Sequence, residues 1–240
     1  MMSLKCGKKD NIVYHFDVNG HMVEAIYHRD DIENIFLPIL EQLYVGNRKR
    51  MFVFLAGPAG CGKSTLGLLL EKLAKDRGMS FQCVGLDGFH YKQSYLDQHH
   101  LASIKGHYTT FDINLLHHKL QQAILGDCYW PVYSRKLHNP IDDGVLVNQE
   151  IVLVEGNYLL LDIDGWRELK EYCSCSIFIS CDKDVVKERL IARKCRGGVS
   201  YEDACKHYET SDSRNVDIIL NQSSVADFML QYDGVRYFKV

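Results

Sequence analysis

The chain has 240 residues, which suits one substantial α/β domain better than two ordinary ones. Hydrophobic residues make up 46% and charged residues 25%, the composition of a folded, soluble chain rather than a disordered or fibrous one. A formal net charge of −3 supplies no global basic field, so nucleic acid is not expected as a partner.

The first residues, Met1 to Lys9, carry positive charge with no apolar run behind them, unlike a secretory signal. Residues 12–18 alternate around Tyr14, Phe16 and Val18, then Asn19-Gly20 leads into residues 22–27. Asn-Gly between two such runs predicts a hairpin, because both central residues of a type I′ turn need positive φ. A helix capped by Asp30 or Asp31 should follow, with Ile32, Ile35, Phe36, Ile39, Leu40 and Leu43 on one face and a kink at Pro38. Residues 1–48 therefore form an N-terminal hairpin-and-helix appendage, expected to pack against the main domain at 49–240 rather than to bind anything.

From residue 50 onward, short apolar runs alternate with helical patterns, which predicts a mostly parallel sheet covered by helices. Strands are expected at 51–56, 81–86, 151–154, 176–180 and 216–220, and helices near 63–77, 112–125, 183–195 and 200–211. Ser200-Tyr201-Glu202-Asp203 has the form of a capping box. No apolar run approaches bilayer length, so no membrane partner is expected. The nine cysteines are scattered without secretory context and predict free thiols in a reducing cytoplasm. Cys173 and Cys175 have no second pair at zinc spacing and read as structural.

Gly57-Pro58-Ala59-Gly60-Cys61-Gly62-Lys63-Ser64, followed by Thr65, matches G-x-x-x-x-G-K-[ST] in full. A strand precedes it and a helix with Leu66, Leu69, Leu70 and Leu73 follows, the order a phosphate-binding loop requires. Glycines let successive N–H groups turn inward on phosphate oxygens, and the helix start adds its positive dipole end. Lys63 should reach the β- and γ-phosphates of ATP, and Ser64 should ligate Mg²⁺. Transfer to a hydroxyl also needs carboxylates at neighbouring strand ends. Asp87, followed by Gly88-Phe89-His90-Tyr91, and Glu155, followed by Gly156-Asn157-Tyr158, stand at those positions.

The segments 57–65, Leu86-Asp87-Gly88-Phe89-His90 and Val154-Glu155-Gly156-Asn157-Tyr158-Leu159-Leu160 together resemble the uridine kinase, phosphoribulokinase and bacterial pantothenate kinase superfamily over residues 50 to 230. Lys105-Gly106-His107-Tyr108-Thr109-Thr110-Phe111-Asp112 is similar to a segment of its nucleoside- or sugar-kinase-like branch. The resemblance implies a three-layer α/β/α sandwich of the P-loop nucleoside triphosphate hydrolase fold with a five-stranded sheet. It implies that Asp87 is the catalytic base lying near Mg²⁺, and that Glu155 holds Mg²⁺ directly or through water. Tyr133 and Arg135 would face the acceptor, with His90, Tyr91, Lys92, Lys105 and Asn157 as further acceptor candidates. Arg189 and Arg193 lie at i, i+4 before Gly197-Gly198, similar to the lid of P-loop kinases, where arginines close over the triphosphate. Ser211-Asp212-Ser213-Arg214-Asn215 resembles a segment near the adenine ring, which would bring in Asn215.

The activity implied is transfer of the γ-phosphoryl group of ATP to a hydroxyl of a small metabolite, a nucleoside or a sugar. Pantothenate and pentose-phosphate acceptors remain open, as does a homo-oligomer. A switch GTPase is excluded by the missing Asn-Lys-x-Asp, and a nucleoside monophosphate kinase is disfavoured because an anionic acceptor needs no base like Asp87. A nucleotide-binding regulator without turnover is the alternative outside catalysis.

Overall fold

The computed structural model describes residues 10–18, 20–43 and 50–240. Asn19 of the expected turn and Cys6 lie outside them. In chain order the strands are β1 (Asn11–Val18), β2 (His21–His28), β3 (Met51–Ala56), β4 (Phe81–Gly85), β5 (Cys128–Ser134), β6 (Asn139–Val147), β7 (Ile151–Gly156), β8 (Cys173–Cys181), β9 (Phe228–Tyr232) and β10 (Tyr237–Lys239). The central sheet has the order β10-β9-β8-β3-β7-β4. Strands β9, β8, β3, β7 and β4 run parallel, and β10 adds an antiparallel edge, making six strands where five were expected.

The sheet is buried on both faces, which explains why its central strands read as unbroken apolar runs. From β3, Val53 and Leu55 point to one layer with Leu66, Leu69 and Leu70 of the helix after the P-loop. Phe52, Phe54 and Ala56 point to the other, among Leu116, Leu120 and Trp130. These layers are built on α2 (Lys63–Lys75) and α4 (Ile113–Leu125), numbered after the N-terminal helix α1 (residues 29–43) and the short α3 (Gln93–Gln98). No helix among the described residues is long and apolar enough to cross a membrane.

The fifth expected strand, 216–220, is instead part of a helix. After α5 (Lys183–Arg196), α6 (Tyr201–His207) continues through a π turn, Tyr208–Asp212, into α7 (Ser213–Gln222). Val216 and Ile219 are buried at i, i+3 with Leu220 partly buried beside them, a helical spacing inside a run short enough to pass for a strand. The fifth parallel strand is β9, which follows it. The Ser200 hydroxyl caps α6 by accepting from the Asp203 N–H at 3.1 Å.

At the N-terminus, α1 runs as Arg29–Asp31, a π turn Ile32–Phe36, and Leu37–Leu43. The π turn precedes Pro38 and encloses Asn34, the residue whose carbonyl a proline four positions on would otherwise crowd. Neither expected aspartate caps the helix. His28 does, accepting from the Asp30 N–H at 3.2 Å, while Asp31 is buried inside it. Asp31 accepts from Arg236 Nε at 2.7 Å and from the Tyr237 N–H at 3.1 Å, tying α1 to the turn between β9 and β10. Ala25, Tyr27, Phe36, Ile39 and Leu40 share one hydrophobic cluster with β3 and α2.

Candidate active site

The loop between β3 and α2 follows the curl its glycines permit. Gly57 has φ +148°, and a Cβ there would stand 2.4 Å from the Ile179 carbonyl oxygen. Gly62 has φ +96° at the start of α2, a helix that no side chain caps. The first N–H groups of α2 are therefore free of side-chain acceptors at the cradle, where the helix dipole is positive. Lys63 is buried and donates to the Pro58 carbonyl at 2.9 Å, bridging the loop.

Parallel pairing of β7 between β3 and β4 sets Glu155 opposite Leu55 on one side and Gly85 on the other. The Glu155 carboxylate turns toward the cradle and accepts from the Ser64 hydroxyl at 3.0 Å. Burial pushes the Glu155 carboxyl up to about 7, opposed by Lys63 and the Ser64 hydrogen bond and reinforced by Asp87. Asp87 does not directly end its strand. It sits one step into a 3₁₀ turn, Leu86–Phe89, after β4 closes at Gly85.

A cavity of about 900 Å³ surrounds the cradle. Ala59, Gly60, Gly62, Lys63, Ser64 and Thr65 of the loop line it, with Asp87 and Glu155 beside them. His90, Lys105, Arg135 and Asn157 line the side toward β4, and Arg189 and Arg193 come from α5. Gly57, Pro58 and Cys61 shape the loop without facing the cavity. Tyr91 turns away and stacks on Tyr95 at 4.2 Å, and Lys92 pairs with Asp142 at 3.0 Å. Tyr133 stands behind the lining, 5.5 Å from the His90 ring and under the Lys105 ammonium at 5.5 Å. Lys105 is held by Gln93 Oε1 at 2.9 Å and the His138 carbonyl at 3.0 Å.

The segment around Tyr133 and Arg135 is not a simple loop. β5 and β6 form an antiparallel hairpin, with Tyr133 in β5 and Arg135 in its turn. Asp142-Asp143-Gly144 hides this hairpin in the sequence by imitating a turn within β6. Asn215 lines the cavity from the first turn of α7, beside a small groove shared with Ile104 and His107, and does not precede a strand.

The electrostatics of the two arginine sources converge. Burial lowers the Arg193 pKa, and the neighbouring Arg135 guanidinium lowers it further, while Asp87 opposes both. Two mutually repelling guanidiniums on one cavity form a site for concentrated negative charge. Burial likewise lowers the His90 pKa, although Asp87 lies close, so this imidazole favours its neutral form. Arg189 lies over the Tyr232 ring at 5.0 Å, and its guanidinium would be 3.9 Å from a Cβ on Gly62.

The donor set fits Mg²⁺. A hydroxyl and a buried carboxylate 3.0 Å apart, with a second carboxylate on the same cavity, are the hard oxygen ligands that ion prefers. The cradle fits a triphosphate, since the positive φ of Gly57, Gly60 and Gly62 curls the loop around the uncapped start of α2, whose N–H groups can then meet phosphate oxygens.

Residues 52–236 match the model of the Phosphoribulokinase / Uridine kinase family. The chain belongs to this family. It is 40% identical over 220 residues to "Uncharacterized protein YggC" of Escherichia coli (strain K12), covering 89% of this chain and 93% of that one. It is 27% identical over 198 residues to "Putative uridine kinase C227.14" of Schizosaccharomyces pombe, covering 77% and 84%. Among solved structures, a "putative fructose transport system kinase" from Silicibacter sp. TM1040 superposes with a TM-score of 0.77 at 27% identity, covering 84% of this chain and 98% of that one. The family match supports a small-molecule kinase that uses ATP.

Several lining residues carry no sequence signal. Val18, His21, Met22, Val23 and Glu24 reach the cavity from the N-terminal hairpin, and Lys194 and Arg196 join it from the end of α5. Asp212 also lines it, paired with His207 at 3.6 Å and with its Oδ2 buried and without a hydrogen bond. Only tertiary packing brings the hairpin here, whereas the charge of Lys194 and Arg196 is readable but not their direction.

Proposed function

We propose that this chain transfers the γ-phosphoryl group of ATP to a hydroxyl of a nucleoside or a sugar. The observation that supports it best is the shared cavity of Ser64, Glu155 and Asp87 at the mouth of the cradle, faced by Arg135 and Arg193. A bare phosphate-binding loop needs no second carboxylate on its acceptor side.

In this reading the α2 N-terminus and Lys63 hold the phosphates, and the acceptor enters between Asp87 and the β5–β6 hairpin. Asp87 takes the acceptor's hydroxyl proton as the new oxygen–phosphorus bond forms and the bond to the β-phosphate oxygen breaks. ADP leaves with the electron pair of the broken bond. Arg193 and Arg135 stabilise charge on the transferring group, with Arg189 holding the remaining phosphates. Ser64, Asp87 and Glu155 would hold Mg²⁺, which supplies charge neutralisation on the phosphates. Neutral His90 and the anchored Lys105 offer hydrogen bonds that orient acceptor hydroxyls. Fixed charge and positioning supply most of the rate enhancement, because the protein makes no covalent bond to the group it moves.

The test is ADP release from Mg²⁺–ATP against nucleosides, sugars, sugar phosphates and pantothenate. Stimulation by one nucleoside or sugar supports the reading. Stimulation only by pantothenate or a sugar phosphate reassigns the acceptor. ATP binding without stimulation by any of them points to a regulator.

A further inference from the structure

The cavity continues past the phosphate cradle on both sides. On one side it is bounded by Asp87, His90 and Lys105, next to edge strand β4. On the other it is bounded by Val18 and by His21, Met22, Val23 and Glu24 of the N-terminal hairpin, outside the matched residues 52–236.

The hairpin attaches to the opposite flank of the sheet from Asp87. Tyr27 of β2 stacks on Tyr237 of edge strand β10, with centroids 6.1 Å apart, and lies beside Thr65 and Arg189. A triphosphate in the cradle then has a direction. Its transferring end must face Asp87, so its nucleoside end passes Thr65 and Arg189 toward the hairpin.

The manner of contact follows from strand geometry. Side chains alternate between the two faces of a strand, so a cavity lying on a face touches every second residue. Residues 21 to 24 line this cavity consecutively, which places the cavity along the strand's edge. Among the described residues that edge is open, because there β1 and β2 form a sheet of two strands only. The register pairs Val18 with His21, Asp17 with Met22, Phe16 with Val23 and His15 with Glu24. In a hairpin with a two-residue connection the closing pair is hydrogen-bonded, and bonded pairs then alternate. His21 and Val23 thus spend their main-chain groups on β1, while Met22 and Glu24 direct theirs outward.

We propose that the open edge of β2, at Met22 and Glu24, holds the base of the bound nucleoside triphosphate through main-chain hydrogen bonds. The proposal rests on the cradle being a triphosphate donor site. A purine edge carries donors and acceptors side by side, which complements the outward N–H and C=O groups of a strand. The Asp31–Arg236 pair, three residues beyond β2, anchors the hairpin to the sheet before any ligand arrives and so limits the ordering cost of binding.

Hydrogen exchange on the wild-type protein tests this, with Mg²⁺–ATP compared against Mg²⁺–tripolyphosphate, which has no base. ATP should slow exchange at the Met22 and Glu24 amides beyond any effect of tripolyphosphate. Met22→Pro and Glu24→Pro remove one outward N–H each, at edge positions where proline is tolerated. Each should weaken ATP binding about 3- to 10-fold in calorimetry and leave tripolyphosphate binding unchanged. Equal exchange with the two ligands overturns the proposal, whether or not the proline variants fold. An unchanged ratio of ATP to tripolyphosphate affinity in a folded variant overturns it too. If neither ligand binds, the donor-site reading falls and takes this inference with it. If both bind without extra protection from ATP, the inference alone falls.

Discussion

Replacing Glu155 with glutamine should make the ligand-free protein more stable at alkaline pH while removing its response to Mg²⁺. The carboxyl is pushed from 4.5 to about 7, with burial as the largest cause. Its folded-state pKa is raised, so its contribution favours folding at low pH and is lost as pH rises through about 7. At pH 8 the wild type carries a buried charge whose cost, from 4.5 to about 7, is roughly 3 kcal/mol. The glutamine side chain of Glu155→Gln would carry no charge and could still accept from Ser64. For a chain of this length, 2–3 kcal/mol corresponds to a rise in melting temperature of roughly 5–10 °C. The assay is thermal unfolding in a chelator at pH 5 and pH 8, repeated with Mg²⁺–ATP. The variant should gain on the wild type mainly at pH 8, and Mg²⁺–ATP should stabilise the wild type far more. An equal loss of stability at both pH values would refute the reasoning, since the charge of Glu155 would then carry no burial cost.

Lys63→Ala should reduce turnover by about two to four orders of magnitude with native circular dichroism, because the ammonium supports phosphate charge rather than the core. Gly57→Ala should weaken ATP binding sharply, since the added Cβ meets the Ile179 carbonyl oxygen at 2.4 Å; equilibrium binding reads this directly. Asp31→Asn should destabilise the protein by about 1–3 kcal/mol in urea unfolding, because a neutral amide replaces the buried carboxylate that accepts from Arg236 Nε and the Tyr237 N–H.

The cradle was legible in the sequence because its chemistry is local: strand, glycine loop, lysine, serine and helix are contiguous. Asp87 and Glu155 were legible for a related reason, as each stands at the end of an apolar run in a parallel sheet, where strand ends share one edge. The run 216–220 misled because five residues with four apolar branched side chains fit a strand and a helix face equally well. Only the packing of Val216 and Ile219 decides between them. The β5–β6 hairpin was hidden by turn-like residues within a strand. The N-terminal hairpin's place at the cavity was illegible in principle, because it depends on Asp31 meeting Arg236 across 205 positions of chain.

The central claim is that Asp87 removes the proton from an acceptor hydroxyl during phosphoryl transfer. Transfer of labelled γ-phosphate from ATP to the stimulating acceptor should be measured with purified wild type and Asp87→Asn side by side. The account predicts labelled acceptor from the wild type, and a rate lower by about two to four orders of magnitude in a folded variant that still binds ATP. Near-normal transfer by Asp87→Asn would contradict it.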